Sequence, residues 1–221
     1  MPVRCGPQAQ LFSKERLANI ENFDKRFLTW GYFLGFNQYD FKFDYNEDTG
    51  DILVDKTIGF NVGLIGNLRI NDYVDIRLEP GLYFTKRNLN FPGFENQSDA
   101  FRGVKSTYIH IPLLIKANAV RLGNIKPYVV GGASLSRNLS SNEKNPNDNS
   151  SGTFRMRDNT YYYEIGFGVD IYLYYFKLSP SIRAVFAIND ELVSDDDIAS
   201  PWTSNIKSLF SRGVFINFTF E

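Results

Sequence analysis

From Tyr161 to Phe186 the chain reads YYYEIGFGVDIYLYYFKLSPSIRAVF, and apolar and polar positions alternate along it. Tyr161, Tyr163, Ile165, Phe167, Val169 and Ile171 share one face, and Tyr162, Glu164, Gly166, Gly168 and Asp170 the other. Past Leu173-Tyr174 the alternation resumes, with Phe176, Leu178, Pro180, Ile182, Ala184 and Phe186 against Lys177, Ser179, Ser181 and Arg183. A period of two marks strands, because successive side chains of an extended chain point to opposite faces. A turn at Leu173-Tyr174 is expected to set Asp170 opposite Lys177 and Glu164 opposite Arg183, two matched cross-strand pairs from one register. One face is therefore aromatic and apolar, while the other carries paired charge and glycine. A soluble sandwich would turn the aromatic face inward and leave the charges to water. A small membrane barrel does the reverse, with apolar residues toward lipid and polar residues in the lumen.

The same alternation predicts six further strands. In the first, from Phe27, Leu28, Trp30, Tyr32, Leu34 and Phe36 share a face; the pattern then slips to Tyr39, Phe41, Phe43 and Tyr45, as expected of a bulge or of a strand rising beyond the membrane. After an expected loop over Asn46 to Lys56, a second strand sets Ile58, Phe60, Val62, Leu64, Leu68 and Ile70 outward. A three-residue turn at Asn71-Asp72-Tyr73 would place Asp75 opposite Arg69 and open a third strand, with Val74, Ile76, Leu78, Pro80, Leu82 and Phe84 outward. Lys86 to Lys105 is expected as a long loop. The fourth strand, Ser106 to Asn118, puts Tyr108, His110, Pro112, Leu114 and Lys116 inward. In the fifth, Ile125 to Ser136, both alternations are apolar or small, so its facing stays open. A polar loop over Asn138 to Asn159 precedes the Tyr161–Phe186 pair of strands, and another over Ile188 to Asn205 follows it. The last strand, Ser208 to Glu221, carries Phe210, Val214, Ile216, Phe218 and Phe220 outward. Pro80, Pro112, Pro127 and Pro180 fall within strands, where each removes a ladder donor; bulges or strand starts are their expected places.

The count is eight strands, and the connections alternate long and short with every short turn on the side of both termini. An even strand number with that asymmetry fits an outer-membrane barrel, whose periplasmic turns are short and whose extracellular loops are longer. The expectation is an all-β fold: an eight-stranded antiparallel up-and-down transmembrane β-barrel, in which residues 27–221 form the barrel and its polar lumen is filled by side chains. Residues 1–26 are expected to be a signal remnant and a periplasmic lead-in. Within them MPVRCGPQAQ lacks an apolar h-region, and Leu11 to Arg26 is readable as a short helix or a flexible arm.

Composition sharpens this picture in four places. Aromatics are 16% of the 221 residues, with 20 Phe and 13 Tyr, as lipid faces and interfacial girdles require. No run approaches the length of a transmembrane helix. A net charge of −1 gives no electrostatic argument for a nucleic-acid partner. Cys5 is the only cysteine, so an internal disulfide is excluded.

Candidate chemistry is sparse, and no catalytic, cofactor-binding or metal-binding residue is assigned. His110 is the only histidine; it is readable as a catalytic base, but a lumen histidine in a polar network accounts for it more simply, and no Ser/His/Asp spacing supports a triad. One His and one remote Cys do not make a zinc site. Arg69, Asp75, Arg77, Glu79, Lys116, Glu164, Asp170, Lys177 and Arg183 could line a transport path. An eight-stranded barrel is, however, just wide enough for side chains to fill, so an ion-pair plug is the expectation. Trp30, Tyr32, Tyr161 and Tyr163 read as interfacial anchors. The glycines of GYFLG and GFGVD lack the setting of a phosphate loop and are expected to relieve crowding in the lumen.

The segments DIRLEPGLYF, YIHIPLLIKAN, KPYVVGGAS and EIGFGVDIYL resemble the small outer-membrane barrels typified by the PorT/SprT family of Bacteroidota, and ENFDKRFLTWGYFLGFNQYDFKF is similar to the start of that family's own members. The resemblance implies a non-enzymatic outer-membrane component of the type IX secretion system, without cofactor. Its implied partners are other translocon subunits and the lipid bilayer, and its implied roles are protein export and gliding motility. The alternatives are a barrel serving envelope stability or adhesion through its loops, and a barrel hydrolase using His110.

Overall fold

The computed structural model describes residues 19–47, 52–91, 101–141, 143, 155–194 and 203–221. The expected signal remnant, Cys5 and most of the lead-in lie outside these residues. Ten strand segments follow a short 3-10 helix at Phe23–Lys25: β1 (Leu28–Tyr45), β2 (Leu53–Lys56), β3 (Ile58–Arg69), β4 (Val74–Leu78), β5 (Gly81–Asn90), β6 (Phe101–Asn118), β7 (Ile125–Asn138), β8 (Asn159–Tyr172), β9 (Lys177–Ala187) and β10 (Ile206–Phe220). All pairings are antiparallel. β1 bonds both β10 and β3, which closes the sheet into a ring along β3, while above it β2 pairs with β5 alone. β2 with β3, and β4 with β5, are single staves interrupted once, so the ring has the eight staves that the alternation predicts.

Inside and outside follow the expected parity. Trp30, Ile165 and Phe167 are 69%, 62% and 60% exposed on the outer wall, while Arg77, Lys116, Asp170 and Arg183 are buried within. The outward apolar run of β8, Tyr161 to Ile171, spans about 23 Å at roughly 3.3 Å per residue and a 45° tilt, close to the apolar band of about 25 Å that membrane barrels present. β1 and β6, each of 18 residues, reach about 40 Å on the same reckoning and so continue past that band. The polarity inverts where they do. Beyond Phe36 the outward positions of β1 become Gln38, Asp40, Lys42 and Asp44, while Tyr39 and Phe41 turn inward and are buried. The slip in the β1 pattern is thus no bulge at Tyr39. The backbone alternation runs on unbroken to Asp44/Tyr45, and only the chemistry changes sides as the wall passes from lipid to water.

The structure corrects several expectations. β8 and β9 pair two residues away from the expected register: Glu164 faces Val185 and Arg183 faces Gly166. The charges still meet, as diagonal neighbours. Asp75 does face Arg69, yet Arg69 pairs with Asp72 in the turn and Asp75 accepts from Asn118 instead. The loops expected over Asn46–Lys56 and Lys86–Lys105 are shorter, because β2, the end of β5 and the start of β6 occupy their flanks. β7 turns Lys126, Tyr128, Val130, Ser134 and Ser136 inward and Val129 and Leu135 outward, which settles its facing.

The four prolines fall where ladders lapse. The pairing of β6 skips from Leu78↔Leu113 to Gly81↔His110, and Pro80 and Pro112 share that gap, with Glu79 N–H donating to Pro112 O at 3.3 Å. Pro127 lies opposite Ala119, just past the end of β6, and accepts its N–H at 2.9 Å. Between Gly168↔Ser181 and Ile171↔Leu178 the β8–β9 ladder is interrupted, and Pro180 stands there. Pro80, Pro112 and Pro127 each keep the accepting half of a ladder pair and drop the donating half, with Leu64, Glu79 and Ala119 as the residues that donate to them.

Candidate functional site

Ionisable side chains converge in the lumen, which is stacked in layers. On the side of the short turns, ten side chains form an unbroken chain. Lys116 donates to Asp170 at 2.5 Å; Lys177 lies 3.9 Å from Asp170 and 2.6 Å from Glu221. Arg77 is 3.8 Å from Glu221 and 3.4 Å from Glu79. Arg183 joins Glu79 at 2.8 Å to Glu164 at 3.3 Å, and Glu164 meets His110, which reaches Ser136. Four cations face four carboxylates. In a low-dielectric interior each charge is tolerable only because its neighbours are present. Glycines make the room: a Cβ at Gly166 would fall 2.6 Å from Arg183 Cγ, and one at Gly168 would fall 2.4 Å from Tyr128 Oη. The lumen role expected for GFGVD therefore holds.

Above this layer Phe33, Tyr39, Tyr83, Tyr108, Tyr162, Val185 and Phe215 form an aromatic disc. Over it Arg87 donates to Tyr108 Oη at 2.7 Å and Ser211 Oγ at 3.1 Å, and its guanidinium lies 3.9 Å from the Phe41 ring centroid. Glu191, from the β9–β10 connection, accepts from the Ser211 N–H and hydroxyl at 3.0 Å each. Burial pushes the Glu191 carboxyl up to about 6 despite Arg87 nearby. The last layer is apolar, with Phe41, Leu89, Phe91, Val104, Met156, Leu192, Ile206 and Leu209 closing the end where the long loops emerge.

The opposite mouth is covered by the end of the lead-in. Phe23 is buried there, edge-on to Tyr172 with centroids 6.5 Å apart and under the Lys177 ammonium. Asp24 accepts from Tyr172 at 2.5 Å and lies 3.3 Å from Arg121 and 3.8 Å from Lys126.

His110 is fully buried in the middle of this stack. Its Nε2–H donates to Glu164 Oε1 at 2.7 Å, the orientation a carboxylate acceptor requires, and Nδ1 lies 3.2 Å from Ser136 Oγ. Spacing along the chain gave no hint of this Ser–His–Glu sequence, which the barrel assembles from β6, β7 and β8. Ser136 is 0% exposed, and the rings of Tyr83, Tyr162 and Phe215 stand 4.8 Å, 5.9 Å and 5.7 Å from the imidazole. A substrate has no approach to that hydroxyl. Of the charged residues singled out from the sequence, Arg69 and Asp75 stay out of the chain at the short-turn rim. Glu221 and Ser136 join it from outside that set: the parity of the last strand puts Glu221 inward, whereas the open facing of the fifth left Ser136 unmarked. Tyr32 and Tyr163 lie on the outer wall, stacked on Phe220 and Phe186 at 5.1 Å and 5.0 Å. Trp30 lies over Gly66, where a Cβ would be 2.9 Å from the indole.

A closed antiparallel barrel with aromatics outside and an ion-pair network within defines the class: a β-barrel of the bacterial outer membrane. The chain belongs to the family described as the outer membrane protein beta-barrel domain, which it matches over residues 8–193. Among solved structures it is similar to the outer membrane protein OprG of Pseudomonas aeruginosa, with a TM-score of 0.50 and 11% identity, over 86% of this chain and 94% of that one. Neisserial surface protein A is similar at a TM-score of 0.48 and 13% identity, over 87% and 97%. The search of curated proteins gave no match.

Proposed function

We propose that this protein is a non-enzymatic accessory subunit of the type IX secretion system, acting in assembly or docking of the translocon within the outer membrane. The reading is carried by the lead-in ENFDKRFLTWGYFLGFNQYDFKF, which resembles the start of PorT/SprT proteins. The sealed lumen agrees with it, since three side-chain layers leave no conduit and cargo would have to pass elsewhere. Residues 1–26 then serve as signal remnant and periplasmic lead-in, and residues 27–221 as the barrel. Partner subunits would be met through the Leu11 to Arg26 arm, the long loops or the outer wall. Deleting the gene and assaying secretion of cargo bearing a type IX signal tests the reading: lost secretion, restored by the wild-type gene, is the expected result, and normal secretion sinks it.

One observation favours a second reading. β1 and β6 carry the wall well past the apolar band, so a rigid rim stands outside the membrane and could serve envelope stability or adhesion. A deletion strain that secretes normally but loses envelope integrity or surface attachment would select that reading. The hydrolase alternative at His110 is disfavoured by the burial of Ser136, and His110→Ala leaving every phenotype intact would dispose of it.

A further inference from the structure

On the outer wall, at the upper edge of the apolar band, Lys86 of β5 and Lys105 of β6 are directly opposed in the ladder, and both are exposed. Two like charges directly across a strand pair repel and destabilise the pairing. Three other outward cations at this end of the barrel have carboxylates: Lys42 has Asp44 at 3.4 Å, while Lys56 and Arg212 share Asp40 at 3.0 Å and 2.8 Å. Among the described residues no carboxylate lies in ion-pair reach of Lys86 or Lys105.

The two lysines border a groove of about 390 Å³ whose walls include Ile58, Phe60, Phe84 and Ser140. A local irregularity of the sheet opens it. β3 pairs with β5 up to Phe60↔Phe84, and β2 resumes at Lys56↔Arg87. Three residues, Thr57 to Gly59, therefore face two, Thr85 and Lys86. The bulge is fixed by the Thr57 hydroxyl donating to Lys86 O, and it leaves Ile58 74% exposed beside the lysines.

The groove thus joins an apolar floor, continuous with the lipid-facing wall, to a paired cationic rim at headgroup height on the long-loop side. We propose that it binds a phosphorylated lipid of the outer leaflet, with acyl chain along Ile58, Phe60 and Phe84 and a phosphate between Lys86 and Lys105. The phosphate relieves the repulsion that the ladder imposes, and Ser140 and Thr107 at the groove edge offer hydroxyl donors. The site is independent of any role in secretion.

The test uses the purified barrel in detergent, titrated with diphosphoryl lipid A, with its dephosphorylated counterpart and with inorganic phosphate, bound lipid being read by native mass spectrometry. The wild type should retain the diphosphoryl lipid selectively. Lys86→Gln with Lys105→Gln should bind it roughly 30-fold more weakly, from about 1 kcal/mol per basic residue. Lys42→Gln, which loses a cation already paired, should bind as the wild type does. The double variant should unfold in lipid-free detergent no more easily than the wild type, because it loses a repulsion. Unchanged lipid binding by the double variant, equal retention of the dephosphorylated lipid, or displacement by inorganic phosphate at matching concentration would each overturn the proposal.

Discussion

At the scale of the residue, the lumen shows how a barrel keeps charge out of water. Arg183 holds both Glu79 and Glu164, so Arg183→Met strips a counter-ion from two buried carboxylates, leaving Glu79 with Arg77 and Glu164 with His110. The expected loss is about 3–5 kcal/mol, measured by urea unfolding in lipid vesicles. Adding Glu79→Gln and Glu164→Gln should restore part of it, because neither position then carries a buried charge that has lost a counter-ion. Glu191 makes a pH prediction. Its folded carboxyl titrates near 6, above its ordinary value of 4.5, so between those values the folded state binds more protons than the unfolded chain. Stability should therefore be full below about pH 4.5 and fall as the pH rises through 6, by about 2 kcal/mol at most. Glu191→Gln should remove that slope, and a slope that persists in this variant would assign it to another group.

At the scale of the element, one strand pair carries two glycines with opposite tolerance. Gly166 of β8 points inward, and a Cβ there would lie 2.4 Å from Ile182 O. Gly131, which faces the neighbouring Ile165 across the ladder, has only Glu164 O at 3.7 Å. Gly166→Ala should destabilise by about 1–3 kcal/mol through overpacking, while Gly131→Ala should change stability by less than about 1 kcal/mol, both followed by heat-modifiable gel migration. The β8–β9 register also shows what alternation leaves open. A slip of one residue would exchange the two faces, whereas a slip of two keeps every side chain on its own side. The pattern therefore reads the facing of Glu164, Asp170, Lys177 and Arg183 correctly and leaves their direct partners undecided. The turn chooses, with Leu173 N–H donating to Phe176 O at 3.0 Å.

At the scale of the molecule, two properties follow from stacking these elements into a ring. The wall should tolerate charge according to height: Ile165→Arg, in the middle of the band, should cost about 2–4 kcal/mol, and Gln38→Arg, above it, about 0–1 kcal/mol. Equal costs would misplace the band. The layered lumen should also be electrically silent. Reconstituted in a planar bilayer, the barrel is expected to show no steady conductance, and an open wild-type channel would contradict the seal formed by the ionic, aromatic and apolar layers.

Alternation by itself determined the eight staves, the direction in which nearly every side chain points and the inversion of a soluble fold's polarity. These are local consequences of the pleat, where neighbours along the chain settle which face is which. Hairpin-scale pairing placed Asp75 opposite Arg69 for the same reason. Tertiary structure decided who meets whom inside. Lys116 reaches Asp170 past an intervening stave, Arg183 reaches Glu79 across the lumen, and Glu221 closes the chain from the end of β10. Those partners depend on strand tilt and on the stagger at which the ring closes, and both are properties of the closed sheet as a whole. The groove beside Lys86 and Lys105 belongs to the same class, since it exists only because two interrupted staves are held one residue out of step.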